Sequence, residues 1–360
     1  MKCYWAEHHV SIDSEGVFRP CCTWQNVGNE PEVTTVEEYY KSDFYKKLNK
    51  DLSDDIWPEG CEDCMQQESI KGRSMRTEKN DIYELDLDWK DAEIKFGNLC
   101  NLGCVMCSPY NSSLIQDEYI KMKGQHKLFN RTVDIKSNWF KDEDNLRSIA
   151  RSLSDRNELH FSGGEPTVNN YLRIFLDELI KCNSNATLLI RTNGNNWPSK
   201  MHELMKQFTT KISISIDAHG KQNEYIRWPS KWDKTQKNVE KILSLPDTTV
   251  KLNPTVAAYN VHLLPKLYDW AVNIGIKRYN FDSVYQPYVF AANNSEQWQK
   301  DIFKNFVENF KHPLGDDFNG EGPNKVKAHV MKEGKGLQGA IDFLKILDYN
   351  RQNDYKVLGI

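Results

Sequence analysis

Three thiols stand close together in the run Cys100-Asn101-Leu102-Gly103-Cys104-Val105-Met106-Cys107, spaced C-x3-C-x2-C. Thiolates at such spacing hold soft metals or iron–sulfur clusters. Three is one fewer than the four that usually close a four-iron cluster. Held by three cysteines, a cluster keeps one iron open, and an open iron lets it bind and activate a molecule rather than only pass electrons. The same thiols could instead belong to a zinc site completed by a distant His or Cys. A second group lies upstream: Cys3, Cys21, Cys22, Cys61 and Cys64, the last two forming a C-x2-C pair. Cys182 stands apart in a helical pattern and reads as an ordinary buried or half-buried cysteine.

A third feature is Leu159-His160-Phe161-Ser162-Gly163-Gly164-Glu165-Pro166, a strand-like run ending in two glycines, a carboxylate and a proline. Paired glycines let a ligand approach the backbone closely. Glu165 offers acceptors to a ligand ammonium group. Taken alone, the segment reads more readily as a plain turn between a strand and a helix.

The elements that must position these residues alternate from about residue 90 onward. Strands are predicted at Glu93–Phe96, Glu158–Phe161, Thr187–Arg191, Lys211–Ile216, Val250–Val256 and Arg278–Phe281. Helical patterns lie near Leu114–Lys123, Asn145–Leu153, Leu172–Cys182, Met201–Gln207, Thr235–Leu245 and His262–Ile274. Such alternation implies an α/β fold, a parallel sheet with helices packed outside it. Six units fall short of the eight of a full barrel, which gives a partial (β/α)6 barrel. Ligands bind at the C-terminal ends of such strands. The three-cysteine loop follows the first strand and the Gly-Gly-Glu-Pro run follows the second. Ser213, Ser215 and Asp217 alternate along the fourth strand, so the period of two puts them on one face.

Three segments follow: 1–85, cysteine-rich with turn signals and few long apolar periods, a small module held by a metal site rather than a core; 86–290, the partial barrel; and 291–360, a charged helical extension.

Composition narrows the classes. Of 360 residues, 39% are hydrophobic, enough for a sizeable core, and the net charge is −4 with both signs mixed along the chain. No basic patch stands out in the sequence, so nucleic-acid binding gains no support. No apolar run approaches the ~20 residues of a membrane span, and Met1-Lys2-Cys3-Tyr4-Trp5 lacks a signal-peptide apolar core. Clustered thiols without a secretory signal read as metal or cluster ligands in a reducing cytoplasm.

At C-x3-C-x2-C and at Gly163-Gly164-Glu165-Pro166 the chain resembles the radical SAM superfamily, whose fold is the partial (β/α)6 barrel. The resemblance implies a [4Fe-4S] cluster on Cys100, Cys104 and Cys107 whose open iron chelates the amino and carboxylate groups of S-adenosylmethionine. Met106 stands where the family usually has an aromatic residue and where adenine is contacted largely through backbone. Gly163, Gly164, Glu165 and Pro166 would bind the methionine amino group. Ser215 and Asp217 would contact the carboxylate and ribose, and Arg227 the carboxylate. Asn193 and Asn253 would line the pocket. The implied activity is reductive cleavage of S-adenosylmethionine to a 5′-deoxyadenosyl radical that abstracts hydrogen from a substrate.

Upstream, Cys3, Gly16 and Cys21 give C-x12-G-x4-C, which resembles the SPASM and twitch auxiliary modules of radical SAM enzymes. Those modules follow the barrel; here the pattern precedes it. The resemblance implies a second, auxiliary [4Fe-4S] cluster on Cys3, Cys21, Cys61 and Cys64, with Cys22 a possible substitute for Cys21. A four-thiolate zinc site is the alternative. The expected substrate is a ribosomal peptide or protein side chain, modified by crosslinking, oxidation or epimerisation, with a small-molecule dehydrogenase as the alternative. The expected electron donor is a flavodoxin or ferredoxin. A non-catalytic iron–sulfur or zinc-binding partner protein is the reading of another class.

Overall fold

A computed structural model describes every residue except 26, 87, 131–137 and 316–320. The chain divides into two compact units, residues 1–98, 134–190 and 207–210, and residues 99–133, 191–206 and 211–360.

The first unit is built on β1 (His9–Ile12), β2 (Phe18–Arg19), β3 (Asp91–Lys95), β4 (Glu158–Ser162) and most of β5 (Thr187–Thr192), in the order β2-β1-β3-β4-β5. β2 runs antiparallel to β1; β1, β3, β4 and β5 are mutually parallel. The register sets His9 opposite Asp91, Ile94 opposite Phe161, and Lys95 opposite Ser162. Val10, Ile12, Ala92, Ile94, Leu159 and Phe161 are all buried, as strands covered on both faces require. Helices Glu143–Ser152 and Asn170–Lys181 supply buried stripes of Leu146 and Ile149, and of Leu172, Phe175, Leu176 and Leu179. Each starts on a side-chain cap, Asp142 accepting from Asp144 N and Asn145 N, and Asn169 from Tyr171 N.

β1 is absent from the strands expected of the sequence. His9-Val10-Ser11-Ile12 has the alternation of a half-exposed strand, yet all four residues are buried, in a strand that lies between β2 and β3. Its polar residues find partners there: the His9 ring pairs with Asp91, which also accepts from Tyr83 Oη at 2.9 Å. Among the described residues, five helices share 1–85: Tyr4–His8, Val36–Lys41, Asp43–Ser53, Glu62–Lys71 and Met75–Tyr83.

The second unit carries β6 (Thr210–Ile214, its first residue assigned to the other unit), β7 (Thr248–Leu252) and β9 (Arg278–Tyr279) in that order, with β7 and β9 parallel. The single strand expected over Val250–Val256 is broken at Asn253-Pro254, since proline has no N–H for a ladder. Its far part, β8 (Thr255–Val256), pairs in parallel with β10 (Asp282–Ser283) instead. The expected fourth strand stops at Ile214, so Ser215 and Asp217 lie beyond its end. Val105, Ile115, Tyr119, Tyr225, Ile226, Tyr259, Phe290, Phe343, Leu344 and Leu347 form one core. The C-terminal helix Gln338–Arg351 therefore packs with the three-cysteine loop. The fold class is α/β, a parallel strand–helix arrangement matching a partial barrel; among the described residues, β2 and β9 end their strand orders unpaired on the outer side. No helix among the described residues is long and apolar enough to cross a membrane.

Candidate cluster sites and cofactor pocket

The loop 100–107 lies entirely in the second unit and is fixed by its backbone. Gly103 N donates to Trp228 O at 2.6 Å and Val105 N to Ile226 O at 2.9 Å. This short ladder sets Cys104 opposite Arg227. Ser112 Oγ donates to Leu102 O at 2.8 Å and Cys107 N to Cys104 O at 3.0 Å. A Cβ added to Gly103 would come within 3.1 Å of Arg351 Nη2 and 3.3 Å of Glu118 Oε2, the two ends of an ion pair that ties the C-terminal helix to helix Ser113–Lys121. The loop is thus clamped from both sides.

Its three thiols face a common environment. Cys104 is buried, and Cys100 and Cys107 are half-buried. Burial pushes the Cys107 thiol up, and the adjacent Cys104 and Cys100 add to the effect. Burial also raises Cys104, against which the Arg227 charge acts to lower it. Sulfur acceptors are already served: Arg227 Nη1 donates to Cys104 Sγ at 3.8 Å, Leu102 N to Cys100 Sγ at 3.5 Å, and Asn193 Nδ2 to Cys100 Sγ at 4.0 Å. Hydrogen bonds to sulfur and a nearby cation suit a site that holds thiolates, and they tune any cluster bound there.

The polar residues expected around the cofactor take up different positions. Arg227 is 6% exposed and lies 2.8 Å from Asp217 Oδ2, while Asp217 has no exposure at all. Burial opposes the Arg227 charge, but Asp217 and the Cys104 sulfur outweigh it and hold the guanidinium charged. The other Asp217 oxygen accepts from Thr255 N at 2.8 Å, and its backbone N–H donates to Asn223 Oδ1. Ser215 is half-buried with its N–H on Thr192 O, and Asn253 N donates to Ile214 O. Asn193 Nδ2 reaches Asn101 Oδ1 at 2.9 Å. Met106 packs half-buried against the second unit's core. Tyr259 was not among the sequence candidates. Its hydroxyl is buried with no hydrogen-bond partner, and burial, with Asp217 and Cys104 nearby, pushes its pKa well up. An unserved buried hydroxyl close to the Cys104 thiol, Asp217 and Arg227 fits a site meant to hold a polar group. Only its place one residue before Asn260, on a loop following β8, could have pointed to it.

In the first unit, Gly163 and Gly164 both have positive φ, +80° and +56°. A Cβ on Gly163 would meet Lys95 Cβ at 2.8 Å and Gly97 O at 3.1 Å, so glycine is required there. Glu165 is 1% exposed, and its Oε1 accepts from Thr167 N at 3.1 Å and Thr167 Oγ1 at 2.7 Å. The carboxylate thereby caps the 3₁₀ turn begun by Pro166.

Also in the first unit, Cys3, Cys21, Cys61 and Cys64 line one cavity with Trp5, Leu48, Leu52, Trp57 and Arg76. Cys22 is exposed and outside that lining. Burial pushes the Cys3 thiol up to about 11, with Arg76 acting against it, and Cys21 up to about 12. Burial raises Cys61 as well, followed by the influence of Cys21, Cys3 and Cys64. The thiols ring a space rather than converge on a point: among the described residues no three His, Cys, Asp or Glu side chains close on a single ion. Four sulfurs, an apolar wall and one cation match the donor set of a four-thiolate cluster.

Residues 94–257 match the family model of the Radical SAM superfamily. The family implies a [4Fe-4S] cluster and S-adenosylmethionine. An uncharacterized protein of Methanocaldococcus jannaschii is 26% identical over 196 residues, 52% of this chain and 60% of the relative. A GTP 3′,8-cyclase of Clostridium acetobutylicum is 25% identical over 175 residues, 48% of this chain and 47% of the relative. The matched stretch thus spans about half the length of these curated relatives. The solved structure of native anSMEcpe with bound AdoMet is 17% identical, covers 61% of each chain and has a TM-score of 0.46.

Proposed function

We propose that this chain is a radical SAM enzyme with an auxiliary iron–sulfur cluster, acting on a peptide or protein side chain. The observation that carries the reading is the clamped three-thiol loop with Arg227 Nη1 on Cys104 Sγ. Cys100, Cys104 and Cys107 would hold the first cluster. When bound, that cluster and S-adenosylmethionine supply a 5′-deoxyadenosyl radical that takes a hydrogen atom from the substrate. The chain's own part is positional. The backbone ladder 103/228 and 105/226 fixes the loop, and Asp217 holds Arg227 in place against Cys104. Ser215, Asn193 and Asn253, in the same unit as the loop, would receive the cofactor's polar edges.

Cys3, Cys21, Cys61 and Cys64 would hold the auxiliary cluster. Their shared cavity supports Cys21 over Cys22, and Arg76 beside it offsets cluster charge. A small-molecule substrate is the second reading, favoured by the relative named GTP 3′,8-cyclase. The chain is expected to act in the cytoplasm. Anaerobic reconstitution with iron and sulfide, followed by S-adenosylmethionine and dithionite, tests the reading. It predicts 5′-deoxyadenosine and about eight irons per chain. A loaded chain that yields no 5′-deoxyadenosine removes the enzyme reading, and about four irons plus zinc removes the auxiliary cluster.

A further inference from the structure

Lys231, Lys234, Lys237 and Lys241 line an open groove in the second unit together with Trp197, Pro198 and Asn238, and its only carboxylate is Asp233. All four lysines are exposed. Lys234, Lys237 and Lys241 lie three and four residues apart on helix Trp232–Leu243, so they share one face, and Lys231 stands at its N-cap. Like charges at this spacing repel and weaken a helix. None of the four has an ion-pair partner among the described residues, although lysines elsewhere in this chain pair repeatedly with carboxylates. A concentrated unpaired positive face on a chain of net charge −4 is suited to an acidic partner.

The groove is also wired to the three-thiol loop. Asn238 Nδ2 donates to Gly194 O at 3.0 Å, pinning the lysine helix to the segment that follows β5. Thr235, on the same helix, accepts from Asn195 Nδ2 at 3.3 Å. Asn195 Oδ1 accepts from Asn101 Nδ2 at 3.4 Å, inside the cysteine loop, and Asn193 Nδ2 reaches both Asn101 Oδ1 and Cys100 Sγ. A chain of four short polar contacts therefore leads from the helix beneath the lysines to a sulfur of the proposed cluster.

We propose that this groove is the docking surface for an acidic protein that delivers single electrons to the Cys100–Cys107 site. The inference rests on the function proposed above, which needs one electron for each cleavage. In the transfer the carrier is oxidised by one electron and the cluster reduced by one; no atom or proton has to cross. Charge complementarity selects the partner, and the Asn195–Asn101–Asn193 contacts make Cys100 the edge of entry.

The test uses the full chain with its clusters reconstituted, reduced flavodoxin as the acidic carrier, and dithionite as a small reductant. Bleaching of the cluster absorbance is followed by stopped flow. Lys234→Glu/Lys237→Glu should lower the flavodoxin rate constant about tenfold or more at low ionic strength, as expected for steering by charge. Added salt should slow the wild type and not the variant. Dithionite should bleach both alike, with equal 5′-deoxyadenosine yield, which also shows that the variant is folded. A variant bleached by flavodoxin at the wild-type rate overturns the proposal. So does a wild type that dithionite bleaches but neither flavodoxin nor ferredoxin does. Lysine-dependent retention of GTP or RNA, with the carrier rate unchanged, would give the groove to a phosphorylated ligand and also overturn it. A wild type that dithionite bleaches without forming 5′-deoxyadenosine fails the function reading instead.

Discussion

Arg227→Met removes one half of a buried ion pair. Asp217, with no exposure, is then left buried without its cation, with Thr255 N on its other oxygen. Stranding one member of such a pair costs about 3–5 kcal/mol. Methionine replaces most of the aliphatic stem, so lost packing adds little, and the stranded carboxylate dominates. Asp217→Asn added to the variant removes that charge while keeping an oxygen for Thr255 N. The double variant should therefore recover most of the loss, leaving a deficit of about 1–2 kcal/mol for the missing contacts. The single changes are then non-additive by about 2 kcal/mol or more. Urea unfolding of the cluster-free chain, followed by circular dichroism, measures this cycle directly. Recovery of stability should not restore the cluster: the double variant still lacks the N–H on Cys104 Sγ, so its reconstituted absorbance should stay weaker than wild type. If Arg227→Met unfolds at the wild-type urea concentration, or if Asp217→Asn adds its own full cost on top, the pairing argument is wrong.

Cys21→Ser should lose about four irons per chain, whereas Cys22→Ser should keep all of them, because only Cys21 lines the cavity with Cys3, Cys61 and Cys64; iron analysis decides it, and equal losses would contradict the ligand set. Gly163→Ala should cost roughly 1–3 kcal/mol, since its φ of +80° and the 2.8 Å approach to Lys95 Cβ both oppose a side chain; unchanged thermal unfolding would show that the turn relaxes. Burial opposes the charge of Asp91, but the His9 ring prevails and its carboxyl is pushed down to about 2 from 3.8. A value lowered in the folded state gives stability that is present above pH 4 and lost as the pH falls toward 2, here roughly 2 kcal/mol. The stability gap between wild type and Asp91→Asn should narrow across that window, and a gap that stays constant would refute the assignment.

The candidate site was legible where its residues are close in sequence. Cys100, Cys104 and Cys107 announce a three-thiolate site by spacing alone, and Gly163-Gly164 announces a tight turn whose positive φ values the structure contains. What depends on distant partners was not. Cys104 and Arg227 are 123 positions apart, and only the ladder of residues 103 and 105 with 228 and 226 sets them face to face. The alternation of Ser213, Ser215 and Asp217 assumed a strand through 217, but β6 ends at Ile214, so the period of two no longer says where Asp217 points. β1 was missed because burial on both faces hides behind a polar pattern, His9 and Ser11 being satisfied by β3 neighbours 82 residues away. The break at Pro254 was readable from the missing N–H.

We propose an open iron at the three-thiol loop. Electron paramagnetic resonance of the dithionite-reduced chain, in a Cys64→Ala background that removes the auxiliary signal, addresses it most directly. Adding S-adenosylmethionine should change the g-values of the remaining cluster, and Cys104→Ala should abolish that signal. A cluster signal that S-adenosylmethionine leaves unchanged would contradict the central claim.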